Sequence, residues 1–344
     1  MVKDGDALNF CPPRWVDTTS VQTHPTYTVV DLCCGCGGYA IGFVLAGYLP
    51  LLGIECERWP AATFRHNFPD VPLLESKVER LTDAEILDAI GGRHVDVICA
   101  GLPCPGFSTN GFQKGDDPRN WLFTQLARLV DLLHPHVVAV ENVAPIGTVH
   151  DGVFGRWLSA ALADLDYDTI SLEVLNAAAY GVPQKRRRAI IVANPLGLAN
   201  PYPMPILAEP YFRTVDPAIG DLRGLPQGGV PNHEWPTPGA DKQARISALS
   251  HGDPLYEDFT GCCRRLRPNE PSFTVTASNG VPHVHPHEDR SLSVREMARL
   301  QGFSDSFLFC GSILEGQRQV GNAIPPPLAK HIALAVRTLL GEVA

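Results

Sequence analysis

The sequence predicts an α/β fold, in which a doubly wound, mostly parallel sheet is followed by a second, smaller domain. Two observations lead to this prediction. Short apolar runs alternate with apolar residues at helical spacing over about the first 190 residues, an order typical of parallel sheets. The alternation breaks near Asn194 and Pro195, and the chain is then rich in Pro, Gly, Asn and Asp to about residue 270. That stretch predicts the smaller unit, of irregular or mixed structure.

The individual elements are predicted from the spacing of apolar residues and from the capping residues that precede them. Apolar or β-branched runs predict strands at 28–32, 51–54, 95–100, 137–140, 169–175, 189–193 and 272–276. Helical spacing predicts helices at 39–46, 122–133, 154–165 and 328–339. Two capping boxes, beginning at Thr82 and Ser293, predict the starts of two more helices. The segment 321–325 is expected to be a loop that leads into the last helix.

The composition indicates a protein with a sizeable core. The 344 residues are 44% apolar, yet no apolar run approaches the length of a membrane-spanning helix. The N-terminus lacks a signal-peptide pattern, so we expect a cytoplasmic protein. A net charge of −9 argues against nonspecific coating of nucleic acid but leaves room for local basic patches. Ten cysteines without paired C-x-x-C spacing predict free thiols and no metal site.

A glycine-rich turn joins the first predicted strand of the alternating region to its helix. The segment from Asp31 to Gly38 reads Asp-Leu-Cys-Cys-Gly-Cys-Gly-Gly, which lets the backbone approach a ligand at the helix N-terminus. This layout is typical of a nucleotide-type cofactor site, although the spacing differs from that of dinucleotide binders. Glu55 ends the next strand, where an acidic residue either binds a ribose diol or is a solvated charge.

A cysteine follows the strand at 95–100 directly. Pro103, Pro105 and the two glycines of Gly101 to Ser108 force a loop that begins at Cys104. In open α/β sheets this edge binds ligands, so Cys104 is positioned to act as a nucleophile. The alternative interpretation is a small buried thiol without reactivity.

Five further motifs follow in order along the chain. They are Asp117 to Asn120 with Leu122-Phe123; Glu141-Asn142-Val143; Gln184, Arg186 and Arg188; Arg264 to Thr276; and Gln319 to Pro326. Together with the glycine turn and the Pro-Cys motif, they resemble the cytosine-C5 DNA methyltransferase family across nearly the whole chain. The resemblance implies a Rossmann-like methyltransferase fold, S-adenosylmethionine as cofactor and cytosine in DNA as substrate.

The resemblance also implies a role for each catalytic candidate. Cys104 adds as a thiolate to C6 of cytosine, which makes C5 nucleophilic toward the sulfonium methyl group. Glu141 holds the N3 and amino edge of the base, and Arg188 contacts its O2 atom. Arg186 organises the pocket or contacts a phosphate. Attack on the face of the ring requires the cytosine to be flipped out of the duplex.

Binding residues are implied in the same way. The expected cofactor contacts are Asp31, Cys33, Gly35, Gly37, Gly38, Glu55, Cys56, Val78, Pro103, Leu122, Asn322 and Ala323. The expected DNA contacts are Ser108, Gln184 and Arg264. The chain departs from the family pattern at Cys33 and Cys56, where apolar residues are usual, and no aspartate stands at 76–78.

The predicted organisation is a catalytic domain of residues 1–195 with 313–344, a small target-recognition domain of 196–282, and a connecting segment of 283–312. The expected partner is double-stranded DNA, bound by a monomer, with a cognate restriction endonuclease as a further partner. Three alternatives stay open at this point. They are a relative that methylates cytosine in transfer RNA, a dinucleotide-dependent oxidoreductase, and a catalytically weak DNA-binding regulator.

Overall fold

A computed structural model describes residues 11–19, 27–102, 122–147, 153–256, 263–276 and 282–342. Within these ranges, seven strands form the central sheet in the order β4-β3-β2-β5-β6-β8-β7. The strands are β2 (Tyr27–Leu32), β3 (Tyr48–Glu55), β4 (Leu73–Glu75), β5 (Val97–Gly101), β6 (Val137–Val143), β7 (Thr169–Asn176) and β8 (Arg187–Asn194). The pairs from β4 to β6 are parallel, and β8 pairs antiparallel with both β6 and β7. The predicted mostly parallel sheet is confirmed.

Helices cover both faces of this sheet, as a doubly wound fold requires. The helices of the sheet domain are α1 (Gly38–Leu45), α2 (Arg58–Asn67), α3 (Asp83–Ile90), α4 (Leu122–Leu133), α5 (Val153–Ala163) and α10 (Pro326–Leu340). Buried residues of α3, α4 and α5 pack on one face, against Val30, Leu32 and Ile98. Helices α1 and α10 pack on the other face, against Val29 and Val97.

The remaining elements are short. They are β1 (Arg14–Val16), β9 (Pro201–Pro203), α6 (Val215–Ile219), α7 (Ala240–Ala248), α8 (Val294–Leu300) and α9 (Ile313–Asn322). Helices α6, α8 and α9 share a separate apolar core around Leu266, Met297 and Phe303. The predicted domain boundaries stay predictions, although β9 pairs with β1 and its Tyr202 lies in the core under α10.

Both predicted capping boxes are present. The Thr82 hydroxyl accepts from the backbone N–H of Glu85, whose carboxylate accepts from the N–H of Thr82. The same exchange joins Ser293 and Glu296 at the start of α8. Each box satisfies backbone donors that the first turn of a helix leaves unpaired.

Two of the predicted secondary-structure elements were wrong. The segment 272–276 is not a strand, because only Ser272 makes a bridge, to Gln184. Residues 321 and 322 are the last turn of α9 rather than a loop. Among the described residues, no helix is both long and apolar enough to cross a membrane.

Candidate active site

The candidate site lies at one edge of the sheet, where β2, β3, β5 and β6 end. In the parallel register, Leu32 is paired with Ile54, and Gly101 is paired with Glu141. A methyl group placed on Gly101 would lie 3.8 Å from the carbonyl oxygen of Cys33, so the glycine turn and the end of β5 are adjacent. The carboxyl ends of neighbouring parallel strands thus bring the predicted cofactor and catalytic motifs together.

The three glycines of the turn have different environments. Gly35 has a φ of +56°, and a Cβ placed on it would meet no atom within 4 Å, so open space lies above its backbone. Gly37 has a φ of +101° and is covered by Phe68. A Cβ on Gly38 would lie 2.5 Å from the carbonyl oxygen of Ile324. A ligand can therefore contact Gly35. At Gly37 and Gly38 the space beside Cα is filled by other residues, so these two glycines are needed for packing.

Glu55 fixes the turn from below. Its Oε2 accepts from the backbone N–H of Gly35 at 2.9 Å, and its Oε1 accepts from those of Cys56 and Glu57, both at 2.7 Å. Burial raises the pKa of this carboxyl, and the three backbone donors partly offset that rise. The Cys56 thiol is also hydrogen-bonded to this carboxylate, so a ribose hydroxyl would share it with the thiol and the three backbone donors.

Asp31 does not reach the open space. Its side chain is buried between β2 and α1, beside the Cys99 thiol and the backbone of Ala40. Burial raises the pKa of Asp31 to about 8, which these two neighbours partly oppose. The predicted direct contact with cofactor therefore does not fit its position, and Asp31 supports the first turn of α1 instead.

The other predicted cofactor residues differ in how far they are exposed. Cys56 and Asn322 are exposed, and Cys33, Leu122 and Ala323 are half-buried. The side chain of Val78 lies in the core and its carbonyl oxygen accepts from Arg128 at 3.0 Å, so neither is free for the cofactor, and a contact through the rest of its backbone stays a prediction. Pro103 lies outside the described residues.

Glu141 and Arg188 form an ion pair at the sheet edge. The Nε atom of Arg188 lies 2.8 Å from Oε1 of Glu141, and the side chains are only 14% and 9% exposed, respectively. Burial lowers the pKa of Arg188, and the carboxylate of Glu141 opposes that effect. The structure thus brings together two of the predicted catalytic residues in a nearly dry position, where charge–charge interactions are strong.

Arg186 is buried near this ion pair and acts as a brace, that is, it holds three backbone carbonyl groups in place. Its guanidinium donates to the carbonyl oxygens of Val275, Gly321 and Ala323 at 2.7, 2.9 and 3.0 Å. Its side chain is fully buried and has no access to a phosphate, so only the other predicted role, organising the pocket, is compatible with its position, and that role stays a prediction. The bonds fix the backbone on both sides of Asn322, whose side chain remains exposed.

The predicted DNA contact by Gln184 is wrong. Its side chain is fully buried and donates to the carbonyl oxygen of Leu300 and the Oε1 of Gln301, at 3.1 and 2.8 Å. Its own Oε1 accepts from the N–H of Val275. All its polar atoms are used inside the protein. Arg264, which lies over the ring of Phe273, stays a predicted DNA contact.

Cys104 and Ser108 lie outside the described residues, but one contact shows how the chain approaches them. The side-chain amide of Asn142 donates to the carbonyl oxygen of Leu102 at 3.2 Å, and its Oδ1 accepts from the N–H of Val143. Asn142 therefore ties the end of β6 to the residue two places before Cys104. The sequence motif contained Asn142, but no local pattern gave it this role.

Comparisons with known proteins agree on one family. The model of the family described as C-5 cytosine-specific DNA methylase matches residues 27–338. The chain is 36% identical to the type II methyltransferase M1.HphI of Haemophilus parahaemolyticus, over 90% of this chain and 86% of that protein. It is 32% identical to the type II methyltransferase M.PspPI of a Psychrobacter strain, over 95% of this chain and 82% of that one. A crystal structure described as a DNA modification methyltransferase encoded within an Escherichia coli prophage superposes with a TM-score of 0.72 at 25% identity, covering 92% of this chain and all of that chain.

Proposed function

This chain belongs to the C-5 cytosine-specific DNA methylase family, and we propose that Cys104 and the Glu141–Arg188 pair act together on its target cytosine. The chain is a DNA (cytosine-5)-methyltransferase that uses S-adenosylmethionine as its methyl donor. The family match over residues 27–338 leaves no place for the dinucleotide-dependent oxidoreductase that the glycine turn also allowed. The attack on C6 and the binding of the base can then be given to particular side chains.

The chemistry requires a nucleophile and a group that holds the base. Cytosine C5 is a weak nucleophile until the Cys104 thiolate adds to C6, which places electron density on C5. Glu141 binds the N3 and amino edge of the ring and favours protonation of N3 as charge develops there. Arg188 donates to O2, and it keeps the Glu141 carboxylate oriented. Once C5 carries the methyl group, a base takes the proton from C5, and the bond from C6 to sulfur breaks, which releases the Cys104 thiolate and restores the aromatic ring.

The glycine turn fits the cofactor. S-adenosylmethionine supplies an electrophilic methyl group when it is bound. The open space above Gly35 accepts a ligand without a clash, and the Glu55 carboxylate bonded to the N–H of Gly35 suits a ribose hydroxyl. Asn322 stands exposed between two carbonyl groups held by Arg186, so its amide is available at a fixed place.

The DNA side of the proposal is sequence-specific methylation of duplex DNA by a monomer. Segment 196–282 serves as the target-recognition part, and the target cytosine is flipped into the site because the thiolate attacks the face of the ring. The similarity to type II methyltransferases supports a role beside a restriction endonuclease. We place this activity at DNA in the cytoplasm.

The observation that carries the proposal is the Glu141–Arg188 pair, preformed level with the end of the strand that leads to Cys104. Bisulfite sequencing of DNA from cells expressing the chain tests it. We expect C5 methylation in one short motif with the wild type and with Cys11→Ser, a control thiol remote from the site, and none with Cys104→Ser. Methylation that persists in Cys104→Ser would remove this cysteine from the mechanism.

A control on the purified proteins separates loss of the nucleophile from loss of the fold. Cys104→Ser should bind S-adenosylmethionine as tightly as the wild type in a calorimetric titration, because the thiol serves the base rather than the cofactor. A Cys104→Ser protein that binds no cofactor would show that the variant had lost its fold instead of its nucleophile.

A further inference from the structure

A cluster of two imidazoles and one carboxylate lies at the edge of the sheet opposite the active site. Asp96 and His136 directly precede β5 and β6, and His94 stands two residues before Asp96. The ligating atoms of the three side chains all lie within 4.8 Å of one another. We propose that His94, Asp96 and His136 bind one divalent transition-metal ion, with zinc as the best match, at this edge.

The distances favour a shared ion over direct contacts. Oδ1 of Asp96 lies 3.4 Å from Nδ1 of His136 and 3.6 Å from Nε2 of His94. Both separations exceed the usual length of a hydrogen bond. Two ligands of one tetrahedral zinc ion, each about 2.0–2.2 Å from the metal, stand about 3.4 Å apart. The pairs around Asp96 therefore have the spacing of neighbouring ligands.

The carboxylate is held in the orientation that a metal ligand needs. Oδ2 of Asp96 accepts from the backbone N–H and the hydroxyl of Thr28, at 2.7 and 2.8 Å. The other oxygen is thereby left to face the two imidazoles. Fixing a ligand through its second oxygen is the usual work of groups around a metal site.

The backbone on all three sides is equally fixed. The single proton of the Thr28 hydroxyl is shared between Oδ2 of Asp96 and the carbonyl oxygen of His94, which lies 2.7 Å from the hydroxyl oxygen, and the N–H of Val137 donates to the carbonyl oxygen of Asp96 at 3.1 Å. The hydroxyl of Tyr167 donates to the carbonyl oxygen of Pro135, next to His136. The three ligands thus come from rigid positions at the starts of neighbouring strands, and little order has to be gained when the ion binds.

The donor set indicates the class of ion. Two imidazole nitrogens and one carboxylate oxygen suit zinc and its first-row neighbours better than magnesium or calcium, which prefer oxygen ligands alone. His94 is exposed, so solvent can fill the fourth position of a tetrahedral ion. The proposed ion joins β5 and β6 at their amino ends. The proposed ion lies at the opposite edge of the sheet from the methyl-transfer site, which is at the carboxyl ends of the strands. Metal binding can therefore be tested independently of methyl transfer.

Calorimetric titration of the chelator-treated protein with zinc, under reducing conditions, tests the proposal. We expect one ion per chain in the wild type and in His66→Ala, which removes an exposed histidine of α2 as a matched control. His94→Ala and His136→Ala should each weaken binding by more than about 100-fold, since each removes a ligand rather than a supporting group. Unchanged affinity in both variants, or no binding by the wild type, would overturn the proposal.

Cobalt separates this site from the cysteines, which also bind soft metals. Cobalt bound by thiolates gives strong near-ultraviolet charge-transfer absorption, whereas nitrogen and oxygen ligands do not. We expect the single cobalt ion to lack that absorption, and its presence would assign the ion to thiols instead. Zinc should also raise the melting temperature of the wild type and His66→Ala but not of His136→Ala, whose far-ultraviolet circular dichroism should match the wild type.

Discussion

Arg188 reaches Glu141 diagonally across two antiparallel strands. In the register of β6 and β8, Arg188 is opposite Val143, and Glu141 is opposite Ile190, yet Nε of the arginine lies 2.8 Å from the carboxylate. Diagonal neighbours on one face of a sheet are within reach of long side chains. Because the sheet register fixes both backbones, the pair is in place before any base arrives, so little reorganisation is needed when charge develops on the ring.

We expect Glu141→Gln to slow methyl transfer by about 100-fold or more, since it removes the acidic group at N3 of the base. The rate should be measured in a single turnover with labelled S-adenosylmethionine and duplex DNA. Glu173→Gln is a matched control, because Glu173 and Glu141 flank the same residue, Ile190, from opposite sides. Equal rates in the two variants would give the acid role to another group.

Arg186→Met should destabilise the protein by at least about 2 kcal/mol, because it leaves buried carbonyl groups without their donor. Arg186→Lys should recover little of this, since one ammonium group cannot reproduce the planar fork of a guanidinium. Urea unfolding measures both changes. Arg187→Met, at the exposed neighbouring position, should stay within about 0.5 kcal/mol of the wild type. A similar loss in Arg187→Met and Arg186→Met would contradict the brace.

The glycine turn allows cofactor contact and packing to be separated. Gly35→Ala should cost about 1 kcal/mol in stability, from its positive φ, yet weaken S-adenosylmethionine binding at least about tenfold. Gly38→Ala should cost about 2–3 kcal/mol, because its methyl group would meet a backbone carbonyl. Gly92→Ala also has a positive φ and open space, but far from the cofactor. The affinity of Gly92→Ala for the cofactor should not change. If Gly35→Ala also bound the cofactor as tightly as the wild type, the prediction that the cofactor contacts Gly35 would be wrong.

Asp31 should make stability depend on pH. Burial raises its pKa from 3.8 to about 8 in the folded state, so the folded protein retains a proton that the unfolded chain has lost. The contribution of this proton to the free energy of unfolding is therefore fully present below about pH 4. It is lost progressively as the pH rises toward 8. Urea unfolding of the wild type and Asp31→Asn between about pH 5 and 8 measures the difference. We expect the wild type to lose stability relative to the variant, and parallel curves would refute the burial effect.

Local patterns predicted the strands and the sheet edge well but could not choose the partners of side chains. Gln184, Arg186 and Arg188 alternate in sequence, which by itself puts them on one face of a strand. The strand begins only at Arg187, however, and the two earlier side chains turn inward to Gln301 and Gly321. These partners lie more than a hundred residues away in sequence, so no local signal identifies them.

Helix α9 was missed for a related reason. Gly316 and Gly321 lower its helical propensity, which made its end look like a loop. Yet a Cβ on Gly316 would lie 2.9 Å from the side chain of Val294, so the glycine allows α8 and α9 to approach closely. Tertiary packing therefore outweighs the local preference at this position.

The carbonyl oxygen that packs against Gly38 belongs to Ile324, which the ribosome adds 286 residues after Gly38. Helix α10, which packs along α1, is completed later still. At about 5–20 residues per second, the glycine turn waits about 15–60 s for these partners during translation. A nascent chain accordingly has no finished cofactor cradle, and a cell that has just received this gene must translate it through α10 before its first cytosine can be marked.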